Sequence, residues 1–192
     1  MADYFDELTE AHMAMIARQP VFFVATAAEG VRINLSPKGY DVVRILAPNR
    51  VAYLDVGGSG NETNAHLLAD GRITLMFCNF QPPAQVLRIY GKGTPVVPWD
   101  REWAELAPHF TMLPGTRQIF DVAVEGVLTS CGYGVPLMTL ERERPTLLKS
   151  HARADPQVWA GLARKHRSSI DGLPIKTTDR YFPGEPGTVP AD

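Results

Sequence analysis

From Glu7 to Arg18 the apolar positions Leu8, Met15 and Ile16, with small Ala11, recur at helical spacing on one face, and Pro20 ends the run. Beyond Pro20 the period shortens. The stretch 21-VFFVATA-27 is apolar on both faces and 31-VRINLS-36 alternates strictly, with an Ala28-Glu29-Gly30 turn between them. A second strand pair, 41-DVVRIL-46 and 51-VAYLDV-56, is joined through Ala47-Pro48-Asn49-Arg50, where Pro and Asn favour a turn. Three further strands are predicted at 72-RITLMFCNF-80, 85-QVLRIYGKGTPVV-97 and 119-IFDVAVEGVLT-129. Gly91 and Gly93 inside the second of these predict a bulge or a sharp bend. Peripheral helices are expected over 99-WDREWAELAPHF-110 and from Pro156 to Arg167, before a Pro/Gly-rich tail.

Six or seven strands with short turns and no strand-helix-strand alternation predict a mainly β fold, an antiparallel barrel with peripheral helices rather than a doubly wound sheet. The 192 residues, 45% of them hydrophobic, suffice for one core, so a single domain over residues 1–182 and a flexible tail over 183–192 are expected. A net charge of -2 with scattered Lys and Arg gives no footprint for nucleic acid or an anionic membrane, and directs attention to a small molecule or a protein partner. The acidic start MADYFDELTE lacks the order of a signal peptide, and no uncharged apolar run approaches the roughly 20 residues of a membrane span, so a cytoplasmic location is expected. Cys78 and Cys131 are far apart without CxxC spacing and are expected as buried thiols, not a disulfide.

Two stretches carry candidate chemistry. In 31-VRINLS-36 and its sequel Pro37-Lys38-Gly39, the alternation sends Arg32, Asn34, Ser36 and Lys38 to one face, which is either the solvated side of an edge strand or the wall of a ligand site. In 53-YLDVGGSGNETNAHL-67 a strand runs into a glycine turn and then a helix, with Ser59-x-x-Glu62 spaced as a capping box and Ala65, Leu68 and Ala69 as its buried stripe up to Gly71. Such a helix start offers unpaired N–H groups that suit a phosphate, and it is equally a plain structural corner. A Walker loop would need Gly-Lys-Ser/Thr and a Rossmann fingerprint a third glycine near Thr63; neither is present. None of the five histidines forms a ligand pair, so no metal is expected; His66 is expected as a packing or helix-face residue. Trp99 and Trp103 are expected to pack on the barrel, Cys131 to be inert, and no Ser-His-Asp hydrolase arrangement is present.

The order of Lys38-Gly39, 53-YLD-55, Ala65-His66, 72-RITLMF-77 and Gln85-Val86 leading to Gly91 resembles the pyridoxamine 5'-phosphate oxidase-like family of FMN-binding split barrels, over roughly Met13 to Met138. The resemblance implies a homodimer with FMN at the subunit interface. It implies that Asn34, Ser36 and Lys38 contact the flavin, that Leu54 and Asp55 lie along it, and that Asn61, Thr63 and Asn64 belong to its phosphate seat. It further implies that Gln85 approaches the cofactor and that Cys131, Gly132 and Tyr133, in 130-SCGYG-134, reach the site from the partner subunit.

The chain also departs from that family. Authentic pyridoxamine phosphate oxidases place Arg-Lys before Ala-His where this chain has Thr63-Asn64, so phosphate binding would fall to the helix start, hydroxyl and amide donors, and Arg32 or Arg88. The chain ends 170-IDGLPIKTTDRYF-182, without the family's tryptophan and Arg-x-His-x-Arg substrate signature, so vitamin B6 oxidation is not expected. The leading expectation is an FMN-dependent oxidoreductase using NAD(P)H to reduce a small organic acceptor or oxygen. Lys38 would favour reduced flavin, and no protein acid or base is required. The alternatives are a non-catalytic flavin-binding or flavin-sequestering protein, and a split barrel binding haem or a deazaflavin.

Overall fold

A computed structural model of the chain describes residues 2–58, 60–155, 157–159, 161, 167–176, 184–185 and 188–189. Eight antiparallel strands form one sheet: β1 (Asp3–Phe5), β2 (Phe22–Thr26), β3 (Asn34–Lys38), β4 (Val43–Ala47), β5 (Arg50–Val56), β6 (Arg72–Cys78), β7 (Val86–Val96) and β8 (Thr116–Ser130). The order is β3-β2-β6-β7-β8-β5-β4, with β1 added on β8. Strands β3 and β4 are not paired to each other, so the sheet curls without closing and the barrel is split along that seam. β1 is the eighth strand beyond the expected seven; at three residues, starting from an acidic Asp, it carries no periodic signal.

The core follows from strands apolar on both faces. β5 buries Val51 to Asp55 without interruption, and Phe22, Tyr53, Phe77 and Phe120 meet across the interior with ring centroids 4.9 to 5.6 Å apart. The predicted bend at Gly91 is present as a register shift between Tyr90 and Gly91 against β8. A Cβ on Gly91 would stand 2.1 Å from the Ala123 carbonyl oxygen, and one on Gly93 would stand 2.8 Å from Leu67 of the overlying helix. Gly91 is required by close approach to backbone, whereas at Gly93 the end of the Leu67 side chain would have to shift.

Helix α1 (Glu10–Ile16) is shorter than the periodicity suggested, because Thr9 caps it: the Thr9 hydroxyl accepts from His12 N–H while His12 Nδ1 accepts from Thr9 N–H. Helix α2 (Glu62–Ala69) lies across β7, β2 and β6. Its first residue is Glu62, so Glu62 is not the third residue of a capping box; Ser59 lies outside the described residues. Its buried stripe is also corrected: Ala65 is buried, but Leu68 and Ala69 are exposed while Thr63, Asn64, His66 and Leu67 are inside. The helix turns a polar face inward. His66 is a packing residue, 3.1 Å through Nδ1 from the Thr26 hydroxyl.

The expected helix over 99–110 is reduced to α3 (Trp103–Leu106) and a single 3-10 turn over Ala107–His109, where Pro108 cannot continue the α-helical bonding. Trp103 packs on the core and Trp99 is half exposed. A helix not anticipated from sequence, α4 (Thr146–Arg153), follows Pro145. Of the expected helix from 156 to 167, residues 157–159 and 161 are helical and the others, apart from Arg167, lie outside the described residues. Most of the tail lies outside them too; Glu185 N–H donates to Met112 O at 2.9 Å and its carboxylate accepts from Met112 N–H. Cys78 and Cys131 are unpaired thiols, and Cys131 is exposed rather than buried because β8 ends before it.

A Gly91→Ala substitution is expected to destabilise the fold by about 1–3 kcal/mol through overpacking, whereas Gly134→Ala, which meets nothing within 4 Å, is expected to be neutral. Thermal denaturation of the two variants side by side checks this; an unshifted Gly91→Ala midpoint would contradict the close approach.

Candidate functional site

A cleft of about 240 Å³ opens where the end of β3, the end of β5, the glycine turn and the start of α2 meet. Asn34, Ser36, Lys38, Asp55, Asn61, Glu62, Thr63 and Arg117 supply its polar side chains. The polar row of β3 therefore faces the cleft. The alternation is inverted relative to an ordinary barrel strand, because Ile33 and Leu35 on the other face stand 77% and 65% exposed.

At the base of the cleft Asp55 is 1% exposed. One carboxylate oxygen accepts from Lys38 Nζ at 3.1 Å; the other accepts from Arg117 Nε at 2.6 Å and Gln118 Nε2 at 2.7 Å. Burial by itself would push this carboxyl up, but the charges of Arg117 and Lys38, with hydrogen bonds from Arg117 and Gln118, hold it well below the usual carboxylate range. Asp55 is thus a fixed anion between two cations; the three groups carry one positive charge in surplus, which the Glu62 carboxylate on the same lining offsets.

Backbone register explains how two consecutive residues reach one carboxylate. In a regular strand Arg117 and Gln118 would point to opposite faces. Here Asp55 pairs with Gln118 but Val56 pairs with Thr116, so Arg117 is the extra residue of a β-bulge and is turned to the same side as its neighbour. Arg117 is the site residue that sequence reasoning missed. The predicted strand began only at Ile119, and nothing in 116-TRQI-119 marks a bulge.

Gln118, fully buried, extends the network. Its amide N–H groups reach Asp55 and Asn61, the latter at 2.7 Å, and its oxygen accepts from Asn64 Nδ2 at 2.7 Å. Asn64 is fully buried and also binds the backbone of Lys176, accepting from its N–H at 2.7 Å and donating to its oxygen at 3.2 Å. Asn64 consequently faces a strap formed by residues 168–176, not the cleft. The same strap places Ile170 N–H on the Glu62 carboxylate and Asp171 on Arg32. Arg32 is drawn away to that ion pair, and Arg88 reaches toward Ser130 at 3.4 Å, so neither lines the cleft. From the other side, the His151 Nε2–H donates to Gly57 O at 2.7 Å, fixing the glycine turn to α4. Thr63 accepts from Asn34 Nδ2 at 3.1 Å, which joins α2 to β3.

The remaining expected residues lie elsewhere. Leu54 is in the core, on the face of β5 opposite Asp55. Gln85, Cys131, Gly132 and Tyr133 form a separate group where β7 begins and β8 ends: Gly132 lies against the Gln85 backbone and Tyr133 is 85% exposed. Strands β2 and β6 separate this group from β3, so within one chain it does not meet the cleft. Among the described residues there is no cluster of His, Cys, Asp or Glu suited to a metal ion, and no helix long and apolar enough to cross a membrane.

Replacing Asp55 with Asn leaves two cations without their buried anion and is expected to cost about 3 kcal/mol at neutral pH. Because the folded-state pKa of Asp55 is depressed, its contribution is complete above the unfolded carboxylate value of about 3.9 and declines as pH falls toward the folded value. Urea denaturation of both proteins from pH 7 to pH 3 should show a constant gap that narrows below about pH 4; a gap unchanged at pH 3 would contradict the assignment.

Comparison with known proteins agrees with the split-barrel fold. A family model described as pyridoxamine 5'-phosphate oxidase matches residues 8–131. The chain is 37% identical over 146 residues to the pyridoxamine 5'-phosphate oxidase family protein ustO of Aspergillus flavus, an alignment covering 73% of this chain and 58% of the relative, so the chain spans little more than half the length of that protein. A variant of HupZ from Group A Streptococcus superposes with a TM-score of 0.52 at 18% identity, over 64% of this chain and 98% of that one. A candidate pyridoxamine 5'-phosphate oxidase from Lactobacillus delbrueckii gives 0.51 at 18% identity, over 64% and 94%. These two share the split-barrel fold, and with the family match over residues 8–131 they lead to one conclusion: the chain belongs to the pyridoxamine 5'-phosphate oxidase family.

Proposed function

We propose that the cleft seats the phosphate end of FMN and that the protein is an FMN-dependent oxidoreductase, drawing hydride from NAD(P)H and reducing a small organic acceptor or oxygen. The observation that carries this reading is the convergence of Lys38 and Arg117 on a cleft also lined by Ser36, Asn34, Thr63 and the turn leading into α2. That set offers a phosphate two cations, hydroxyl and amide groups, and a helix start, while the Glu62 carboxylate on the same lining accepts from Ile170 N–H. Arg117 replaces, from a different strand, part of the charge that Thr63-Asn64 do not provide. Family membership supports the cofactor class.

The fit extends to size. A cleft of about 240 Å³ falls below the roughly 300–1,000 Å³ of a site that encloses a drug-sized ligand. It takes a phosphate and its neighbouring chain, and the ring must lie beyond it. Ile33, just before edge strand β3, and Leu35 on it are exposed, as are Tyr133 and Leu137 after β8. These surfaces support the homodimer, in which 131–133 and Gln85 of a second copy would complete the site.

When bound, the flavin supplies hydride acceptance and donation at its N5 atom. The protein's own contribution is placement and charge. Lys38, tethered by Asp55, presents its ammonium at a fixed place on the cleft wall, and Arg117 is held by the same carboxylate, so neither side chain needs ordering when an anion arrives. Asp55 itself stays ionised and takes no proton at neutral pH.

The purified protein is expected to show, or to acquire with FMN, a flavin visible band, and anaerobic NADH or NADPH should bleach it within seconds to minutes. A band that stays unbleached would leave a flavin carrier and rule out the reductase; no band and no FMN binding would remove both. Lys38→Met should weaken FMN binding about tenfold, and an unchanged affinity would refute a role for Lys38 in the phosphate seat.

A further inference from the structure

On the face of the barrel away from the polar cleft, two adjoining cavities of about 510 and 330 Å³ share Pro20, Tyr40, Leu140 and Glu143. The segment 138–144 forms their outer wall and is fastened at both ends. At one end Met138 N–H donates to Phe80 O at 3.0 Å, and Gln81 Nε2 donates to Met138 O at 2.6 Å. At the other the Tyr40 hydroxyl donates to Arg144 O at 2.9 Å. Beneath this handle the walls are largely apolar: Pro20, Val21, Pro37, Phe80, Met138 and Leu140.

The charges around the cavities are unevenly placed. Arg18, Asp41, Glu141, Arg142 and Arg144 are exposed, and Asp41 is paired with Arg44 at 2.7 Å. Glu143 alone among the lining charges is half-buried, and none of the described residues gives its carboxylate a hydrogen bond or an ion pair. A half-buried carboxylate that no side chain engages is free to pair with a cation brought by a ligand. Tyr40 adds a second sign of a built site. It is the non-glycine residue held at positive φ, 65°, among the described residues, and such strain persists where surrounding structure enforces it and gathers at binding sites. Burial and the nearby Glu143 carboxylate both push the Tyr40 phenol up, which places the two groups within electrostatic reach.

The geometry points to a second small-molecule site here, taking a ligand with an aromatic or branched apolar body and a primary ammonium group, the ammonium paired with Glu143 and the body lodged against Pro20, Phe80, Met138 and Leu140. The half-buried Glu143 carboxylate and the apolar walls are complementary to that class, whereas Arg18, Arg142 and Arg144 of the lining are exposed to water. The site is separate from the polar cleft, because Pro37 and Gly39 line it whereas Lys38, between them, lines the other face of β3. This assignment does not depend on flavin binding.

Phenethylamine and its neutral counterpart 2-phenylethanol test it on the protein as purified, by NMR titration of backbone amides. The amine is expected to bind saturably at about millimolar concentration, shifting Gly39, Tyr40, Leu140 and Glu143. Glu143→Gln is expected to weaken it about tenfold, to the level of the alcohol, with thermal stability unchanged or raised. Equal binding of amine and alcohol, an unaffected Glu143→Gln variant, shifts confined to the polar cleft, or no binding because a second copy covers the handle would each overturn the proposal.

Discussion

Asp55 is an ionised carboxylate removed from water at the end of a strand buried on both faces, and the form of the cleft follows from what that requires. Taking such an ion out of water costs several kcal/mol unless its oxygens are fully occupied by charged and hydrogen-bonding partners. Lys38, Arg117 and Gln118 meet the requirement; Arg117 and Gln118 come from β8, which pairs with β5 and turns Arg117 inward through a bulge, and Lys38 comes from β3, which does not pair with β5. Lys38 at the end of β3 and Asp55 at the end of β5 stand on opposite sides of the unpaired seam. Their ion pair therefore spans the split in the barrel where no backbone ladder does.

From that carboxylate the constraint passes outward. Gln118 links it to Asn61 in the turn and to Asn64 on α2, and Asn64 fastens the strap at Lys176. The turn is held independently by His151, and α2 is drawn close to the sheet by Gly93 under Leu67. A helix with a polar inner face is unusual in a globular core, and the reason lies in this network: Thr63, Asn64 and His66 face inward because each has a polar partner waiting there. The cleft is a rigid socket whose cations are positioned before any ligand enters, a property that lowers the ordering cost of binding.

The fold was legible because strand periodicity is local. Strands 21–27, 41–46, 51–56 and 72–80 correspond to β2, β4, β5 and β6 with boundaries shifted by few residues, and the Gly91 bend was readable from glycines in a β-rich run. Half of the site was legible for the same reason: alternation along 34–38 set Asn34, Ser36 and Lys38 on one face. What stayed hidden depends on contacts distant in sequence. Arg117 enters through a bulge defined by the β5–β8 register, Asn64 is claimed by a backbone group 112 residues away, and Arg32 by Asp171. The stripe of α2 was misread because an apolar pattern cannot announce a polar interface, and β1, at three residues, is too short for periodicity to show.

The central claim is that Lys38 and Arg117, set by Asp55, form a phosphate seat. Comparing FMN with riboflavin, which lacks the phosphate, by fluorescence quenching isolates that seat from the ring. The account predicts that FMN binds at least about tenfold more tightly than riboflavin, that the preference falls as salt rises, and that Arg117→Met removes most of it. Equal affinity for the two flavins, or a preference untouched by Arg117→Met, would contradict it.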